Sequence, residues 1–357
     1  MNSQTYLAGK ISQPLFGMQW EAIPEADRVR PMWEGLLRTG RIPHALLWVG
    51  KEGIGKTALA WAATHSLLCE KANPTCQKVA HLTHPNLYLI APTTSAIEPA
   101  EASQRLAQAL VQNPFLSLSD FQALLKATTL SIGVEAIRQL RNTLLLTPAE
   151  KTWRIVWFWH AETLTRQAAN ALLKVVEEPP NQTLFIFLTT RLEALPVTIR
   201  SRSQVWHIAP LSEETLLSYV EGARDAEEAQ LWVRLAEGSL SRLRQLQEPS
   251  WQELLRTTQR WLSACRDPHL VADWGSLLES LQRHPRLAEA LHLSLALLRQ
   301  QTALSLPQQT YAMTRLLEAL DALSANLQPA IVLNHLTSDL LQNWKNPPLT
   351  WEFLLSG

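Results

Sequence analysis

The stretch Gly50-Lys51-Glu52-Gly53-Ile54-Gly55-Lys56-Thr57 constrains the fold of this chain more than any other. The spacing Gly-x-x-x-x-Gly-Lys-Thr is that of a phosphate loop, and each position has a physical reason. Gly50, Gly53 and Gly55 free the backbone to turn successive N–H groups, that of Ile54 among them, toward one anion. Lys56 brings a point charge to the outer phosphates, and Thr57 brings a hydroxyl to a Mg²⁺ ion. Such a loop needs a buried strand before it and a helix behind it, whose positive end attracts phosphate further. Both are legible: Ala45-Leu46-Leu47-Trp48-Val49 is continuously apolar, and Ala58 to Ala63 continues as helix.

The same alternation recurs downstream. Residues 86–90, 153–159 and 183–189 read as further strands, the last two apolar enough to be covered on both faces. Helices are expected over 31–38, with Gly40 placed to end it, over 135–146, and from Thr165 as N-cap to Val176, stopped by Pro179-Pro180. This pattern predicts an α/β fold, a parallel sheet with helices on both faces and the phosphate loop at the carboxyl ends of its strands. Residues 93–130 are polar and alanine-rich, with helical stretches at 100–111 and 120–126, and read as a helical insertion on the surface. Beyond residue 208 only helical spacing appears. The expected domains are a nucleotide-binding α/β domain over 1–207, a small helical lid over 208–250 and an all-α domain over 251–357.

Composition excludes several functions. The 32 basic and 32 acidic residues cancel, so the chain is not built to grip nucleic acid alone by its phosphates. The fourteen tryptophans include Trp48, Trp61, Trp157 and Trp159 inside apolar runs, which points to core packing rather than base stacking. Three scattered cysteines, Cys69, Cys76 and Cys265, make no disulfide framework. No apolar run reaches the roughly 18 residues of a membrane span. The start, Met1 to Tyr6, lacks a signal-peptide pattern, so the expected location is the cytoplasm.

Five blocks occur in the order seen in AAA+ clamp-loader subunits: Arg41-Ile42-Pro43-His44-Ala45-Leu46-Leu47, the phosphate loop, Ala168-Ala169-Asn170-Ala171-Leu172-Leu173-Lys174, Glu177-Glu178-Pro179-Pro180 and Ile199-Arg200-Ser201-Arg202. The chain resembles that family over most of residues 31–250. The resemblance implies a AAA+ domain followed by a lid and a C-terminal collar that holds a five-subunit ring together. It implies gamma/tau and delta subunits of DNA polymerase III as ring partners, and a sliding clamp and primer-template DNA met through the complex. ATP or ADP with Mg²⁺ would occupy the phosphate loop, Thr190 would sit at the γ-phosphate sensor position and Arg242 near the lid arginine. Arg202 matches the arginine of the family's Ser-Arg-Cys motif, which acts in trans on a neighbour's nucleotide. Its rigid fork of donors suits charge developing on a transferred phosphoryl group.

The departures matter as much as the matches. Where family motors carry an acidic pair after the third strand, this chain has Trp159 and His160. Tryptophan offers the metal's water shell no acceptor, and histidine is no direct replacement for the carboxylate base. The leading expectation is therefore a clamp-loader subunit of a DNA polymerase III holoenzyme that keeps a nucleotide-binding or vestigial site without efficient hydrolysis. An active gamma/tau-type ATPase using Glu162, two residues on, is the alternative. A P-loop small-molecule kinase would leave the block from Ala168 to Pro180 unexplained. The family also carries four cysteines after the phosphate-loop helix; Cys69 and Cys76 remain, but Val79 and Leu82 stand at the last two places. His81 and His84 have poor ligand spacing, so no zinc is expected.

Overall fold

The computed structural model describes residues 19–69, 74–148, 150, 152–266, 274–284, 286–300 and 304–345. The start of the chain, on which the expectation about location rests, lies outside them.

Five strands, β1 (Ala45–Val49), β2 (Leu87–Ile90), β3 (Arg154–Phe158), β4 (Thr183–Thr189) and β5 (Gln204–His207), form one sheet in the order β2-β3-β4-β1-β5. All neighbours run parallel. β1, β3 and β4 are buried along their whole length, as continuously apolar strands between two helical layers should be. β5 is an edge strand with Gln204 and His207 exposed, so no continuous apolar run marks it and only the polar stretch Ser201–Ser203 reads as a strand entry.

Alternation along β3 sorts its side chains between the layers. Val156 and Phe158 join Leu47, Phe185 and Phe187 beneath helices Val134–Leu145 and Arg166–Glu177. Trp157 points the other way, and its indole N–H donates to Thr64 Oγ1 at 3.0 Å on the phosphate-loop helix Lys56–Leu68. That helix is buried at every residue from Lys56 to Thr64, so it has no polar face and runs through the core. Thr165 caps the helix after β3 as expected, accepting from the Ala168 N–H at 3.2 Å.

The chain divides into two compact units, one of Met1–Val220 with Ala236–Leu243, the other of Glu221–Leu235 with Arg244–Gly357. The second is wholly helical among its described residues. Its helices Pro249–Arg266 and Pro329–Asn343 are tied by a buried hydrogen bond from Trp261 Nε1 to Thr337 Oγ1, 3.1 Å long. The expected lid range 208–250 is shared between the two units.

Candidate functional site: a phosphate loop filled from within

Because the strands are parallel, the loops leaving β1, β3 and β4 meet at one edge of the sheet. β1 leads into Gly50, β3 into Trp159-His160 and β4 into Thr190. Val49 pairs with Thr189, and the Gly50 N–H donates to the Thr189 carbonyl at 3.2 Å.

The loop's glycines are required for two different reasons. Gly53 and Gly55 hold left-handed backbone, with φ of +72° and +96°. Gly50 instead lacks space, since a Cβ there would lie 2.6 Å from Ile54 Cδ1 and 2.7 Å from the Ile208 carbonyl. The loop is pinned from outside as well. Leu240 N–H donates to the Gly53 carbonyl at 3.0 Å, and Arg28 Nη2 to the Ile54 carbonyl at 3.1 Å.

Lys56 is buried and folded back, donating to the Gly50 and Lys51 carbonyls at 2.7 and 2.6 Å. Burial pushes its ammonium pKa down to about 8 against the opposing pull of Glu162 and Glu52. Thr57 Oγ1 accepts a hydrogen bond from the Trp159 indole N–H at 3.2 Å. Trp159 thus does more than delete an acid: its ring packs against the hydroxyl expected to serve Mg²⁺.

The insertion completes the closure, which corrects its reading as a surface feature. Helices Pro99–Gln112 and Leu118–Leu125 form near the expected places, but the turn between them returns to the loop. Phe115 Cε1 lies 3.0 Å from where a Cβ on Gly55 would stand, and Phe121 meets Trp159 edge to face at 5.3 Å. Glu52 Oε1 accepts from the Leu118 N–H at 2.5 Å, setting a carboxylate at that helix's positive end. Pro114, Phe115, Leu116, Trp159 and Lys56 line a partly open pocket that, as the side chains stand, has about 20 Å³ of water-accessible space, room for one water molecule. In this arrangement the residues do not fit Mg·nucleotide.

His160 and Glu162 form the other wall. His160 Nδ1 lies 3.0 Å from Glu162 Oε1, which also accepts from the Thr190 hydroxyl at 2.7 Å; His160 Nε2 lies 3.5 Å from Glu52 Oε1. Burial alone would raise the Glu162 pKa, but His160 and Thr190 outweigh it and hold the carboxyl at about 2. The expected sensor hydroxyl therefore points at a carboxylate of its own chain. Arg242 lies in the first turn of helix Leu240–Gln247, its backbone N–H donating to Ser239 Oγ at 3.1 Å.

Arg202 is not brought to this site. It precedes β5, at the amino edge of the sheet, whereas the phosphate loop leaves the carboxyl edge. A strand's length separates them, roughly 15–20 Å at about 3.3 Å per residue. Its guanidinium is partly exposed and pairs with Glu177 at 2.9 Å, while Nη1 donates to the Thr198 carbonyl at 3.1 Å.

Sequence reasoning missed Phe115, Phe121, Glu52 and Arg28. One signal was available: Ser117-x-x-Asp120 just before Phe121 is a capping box, and both of its reciprocal bonds form. It fixes where the helix starts and hence where Phe115 must turn.

A parallel α/β sheet with a phosphate loop after β1, followed by a helical C-terminal region, defines a AAA+ P-loop protein. Comparison with known proteins narrows the class. The family model described as DNA polymerase III, delta subunit, matches residues 26–212. DNA polymerase III subunit delta′ of Escherichia coli (strain K12) is 31% identical over 280 residues, covering 74% of this chain and 72% of that protein. Subunit delta′ of Yersinia pestis is 31% identical over 179 residues, 48% of this chain and 43% of that protein. Subunit tau of Escherichia coli (strain K12) is 29% identical over 211 residues, 57% of this chain and 28% of that protein. The chain belongs to the DNA polymerase III delta-subunit family, as a clamp-loader subunit of delta′-like type. No helix among the described residues is long and apolar enough to cross a membrane.

Proposed function

We propose that this clamp-loader subunit works as a stator: it holds the ring together, its own phosphate loop is vestigial, and it offers Arg202 to the nucleotide of a neighbouring gamma/tau-type subunit. The single observation that carries the reading is the Trp159 indole donating to Thr57 Oγ1 in a pocket that, as the side chains stand, has room for one water molecule. Arg202 lies a strand's length from its own loop, so any nucleotide it serves belongs to another chain. Its pairing with Glu177 keeps the fork ordered at the surface and is exchangeable, as exposed ion pairs are weak. The helical collar over 251–357 and the lid over 208–250 supply the ring contacts in this reading, with delta, the sliding clamp and primer-template DNA met through the assembly.

The test is Arg202→Ala in a clamp loader reconstituted with gamma/tau and delta subunits. An arginine finger contributes about 10³-fold or more to turnover at the site it serves. The variant should assemble normally and lose the clamp- and DNA-stimulated ATPase of that one site. Unchanged ATPase in a fully assembled ring would refute the assignment.

A further inference from the structure

Helix Arg166–Glu177 ends on two carboxylates, Glu177 and the capping residue Glu178, just before Pro179-Pro180. This is the negative end of the helix, where the last backbone carbonyls disfavour acidic side chains. A cation reaches Glu177 from elsewhere in the chain. Arg202, in the turn after helix Val197–Arg200, sets Nη2 2.9 Å from Glu177 Oε1. Its other terminal nitrogen, Nη1, donates to the Thr198 carbonyl at 3.1 Å and to Ser201 Oγ at 3.4 Å. Both terminal nitrogens of the guanidinium are thus engaged within the chain.

The partners differ in kind. Thr198 and Ser201 are neutral and lie within four residues of Arg202, so they travel with it and fix its direction. Glu177 belongs to another helix, and its carboxylate presents to the guanidinium the same paired oxygens that a phosphoryl group would. We propose that Glu177 is a positioning residue, a latch that parks Arg202 on a phosphate stand-in until a neighbour's nucleotide takes its place. The latch presupposes the reading of Arg202 as an arginine finger and names the group that finger must leave to act. The exchange swaps one ion pair for another and makes or breaks no covalent bond. Arg202 gives up a single carboxylate charge for the more highly charged outer phosphate, while the Thr198 carbonyl still holds Nη1. Glu177 is then left to water, which reaches it because both members of the pair are partly exposed. When the phosphate leaves, the carboxylate at the helix end draws the guanidinium back. The same exposure keeps the latch weak, worth roughly a two- to fivefold change in how often the finger is available.

The experiment is steady-state ATPase of a clamp loader reconstituted from the full chain with gamma/tau and delta subunits, measured with and without clamp and DNA. The served site is the part of the turnover that Arg202→Ala removes. Glu177→Gln keeps the size of the side chain and takes away its charge. The freed fork meets the bound triphosphate in the ground state and the transition state alike, so the KM for ATP of that part should fall roughly two- to fivefold at little-changed kcat. The same substitution should do nothing in the Arg202→Ala background. Glu178→Gln, an equal change of charge one residue on, should leave the ATPase as it is. A KM unchanged or raised by Glu177→Gln, an effect that survives Arg202→Ala, or an equal effect from Glu178→Gln overturns the latch while the finger stands. An assembled Arg202→Ala ring with full ATPase overturns both, since the reaction the latch governs is then absent.

Discussion

The indole N–H of Trp159 donates to the hydroxyl of Thr57 across 3.2 Å, joining the end of β3 to the start of the phosphate-loop helix. Both residues are buried, and each polar atom finds its partner in the other. Trp159→Phe keeps most of the ring and removes the donor. It should cost about 0.5–1.5 kcal/mol, the usual worth of one hydrogen bond. Trp159→Ala also empties the space beside Phe121 and should cost about 3–5 kcal/mol. Urea unfolding of the two variants, compared by midpoint at constant slope, separates the terms.

Gly53→Ala tests the contact between the loop and the segment Ser239–Ser241. The new Cβ would stand 2.3 Å from Ser239 Oγ and 2.5 Å from Ser241 Cβ, on backbone at φ +72°. Left-handed backbone alone costs roughly 1–2 kcal/mol for a residue with a Cβ, and the clash adds to it. A loss above about 2 kcal/mol is expected from the unfolding midpoint. By contrast Gly133, with nothing within 4 Å of its Cβ position, should accept alanine with little change.

The sheet and the loop were legible because their signals are local. An apolar run of five residues can only be a buried strand or a stretch of buried helix, and glycines at fixed spacing decide for a strand and loop. Arg202 was singled out only by the family resemblance of its neighbours in sequence, and its distance from Gly50 followed once β5 was seen to run parallel to β1. What fills the loop was not legible. Phe115 lies 60 residues from Gly55, in a polar stretch whose helices carry no mark of where they pack. Trp159 could be read as a missing acid, but not as a donor to Thr57, because that contact depends on side-chain direction across two loops.

The Glu162 carboxyl predicts a specific pH dependence. Its pKa of about 2 lies below the ordinary value of 4.5, so the stability it contributes is full above pH 4.5 and is lost as pH falls toward 2. The amount is on the order of 3 kcal/mol. Glu162→Gln should flatten this part of the acid-unfolding profile. Lys56 acts with the opposite sign: its folded pKa is lowered from 10.5 to about 8, so its buried charge weakens the fold below pH 8, and stability is regained between 8 and 10.5. Lys56→Met should remove that rise.

If the site is closed by its own side chains, opening it should be a gain of function. Phe115→Ala clears the ring from Gly55, and Trp159→Asp both frees the Thr57 hydroxyl and restores an acceptor for a metal's water shell. The double variant should bind a fluorescent ADP analogue with Mg²⁺ more tightly than the parent, and Lys56→Ala in that background should abolish the gain. Hydrolysis should stay slow, since His160 still stands in place of the base.

The most direct measurement is a titration of the pure, full-length chain with a fluorescent ATP analogue in the presence and absence of Mg²⁺. A vestigial loop predicts no saturable binding at concentrations that fill a gamma/tau-type subunit run alongside, and no change on Lys56→Ala. Saturable, Mg²⁺-dependent binding that Lys56→Ala removes would contradict the account.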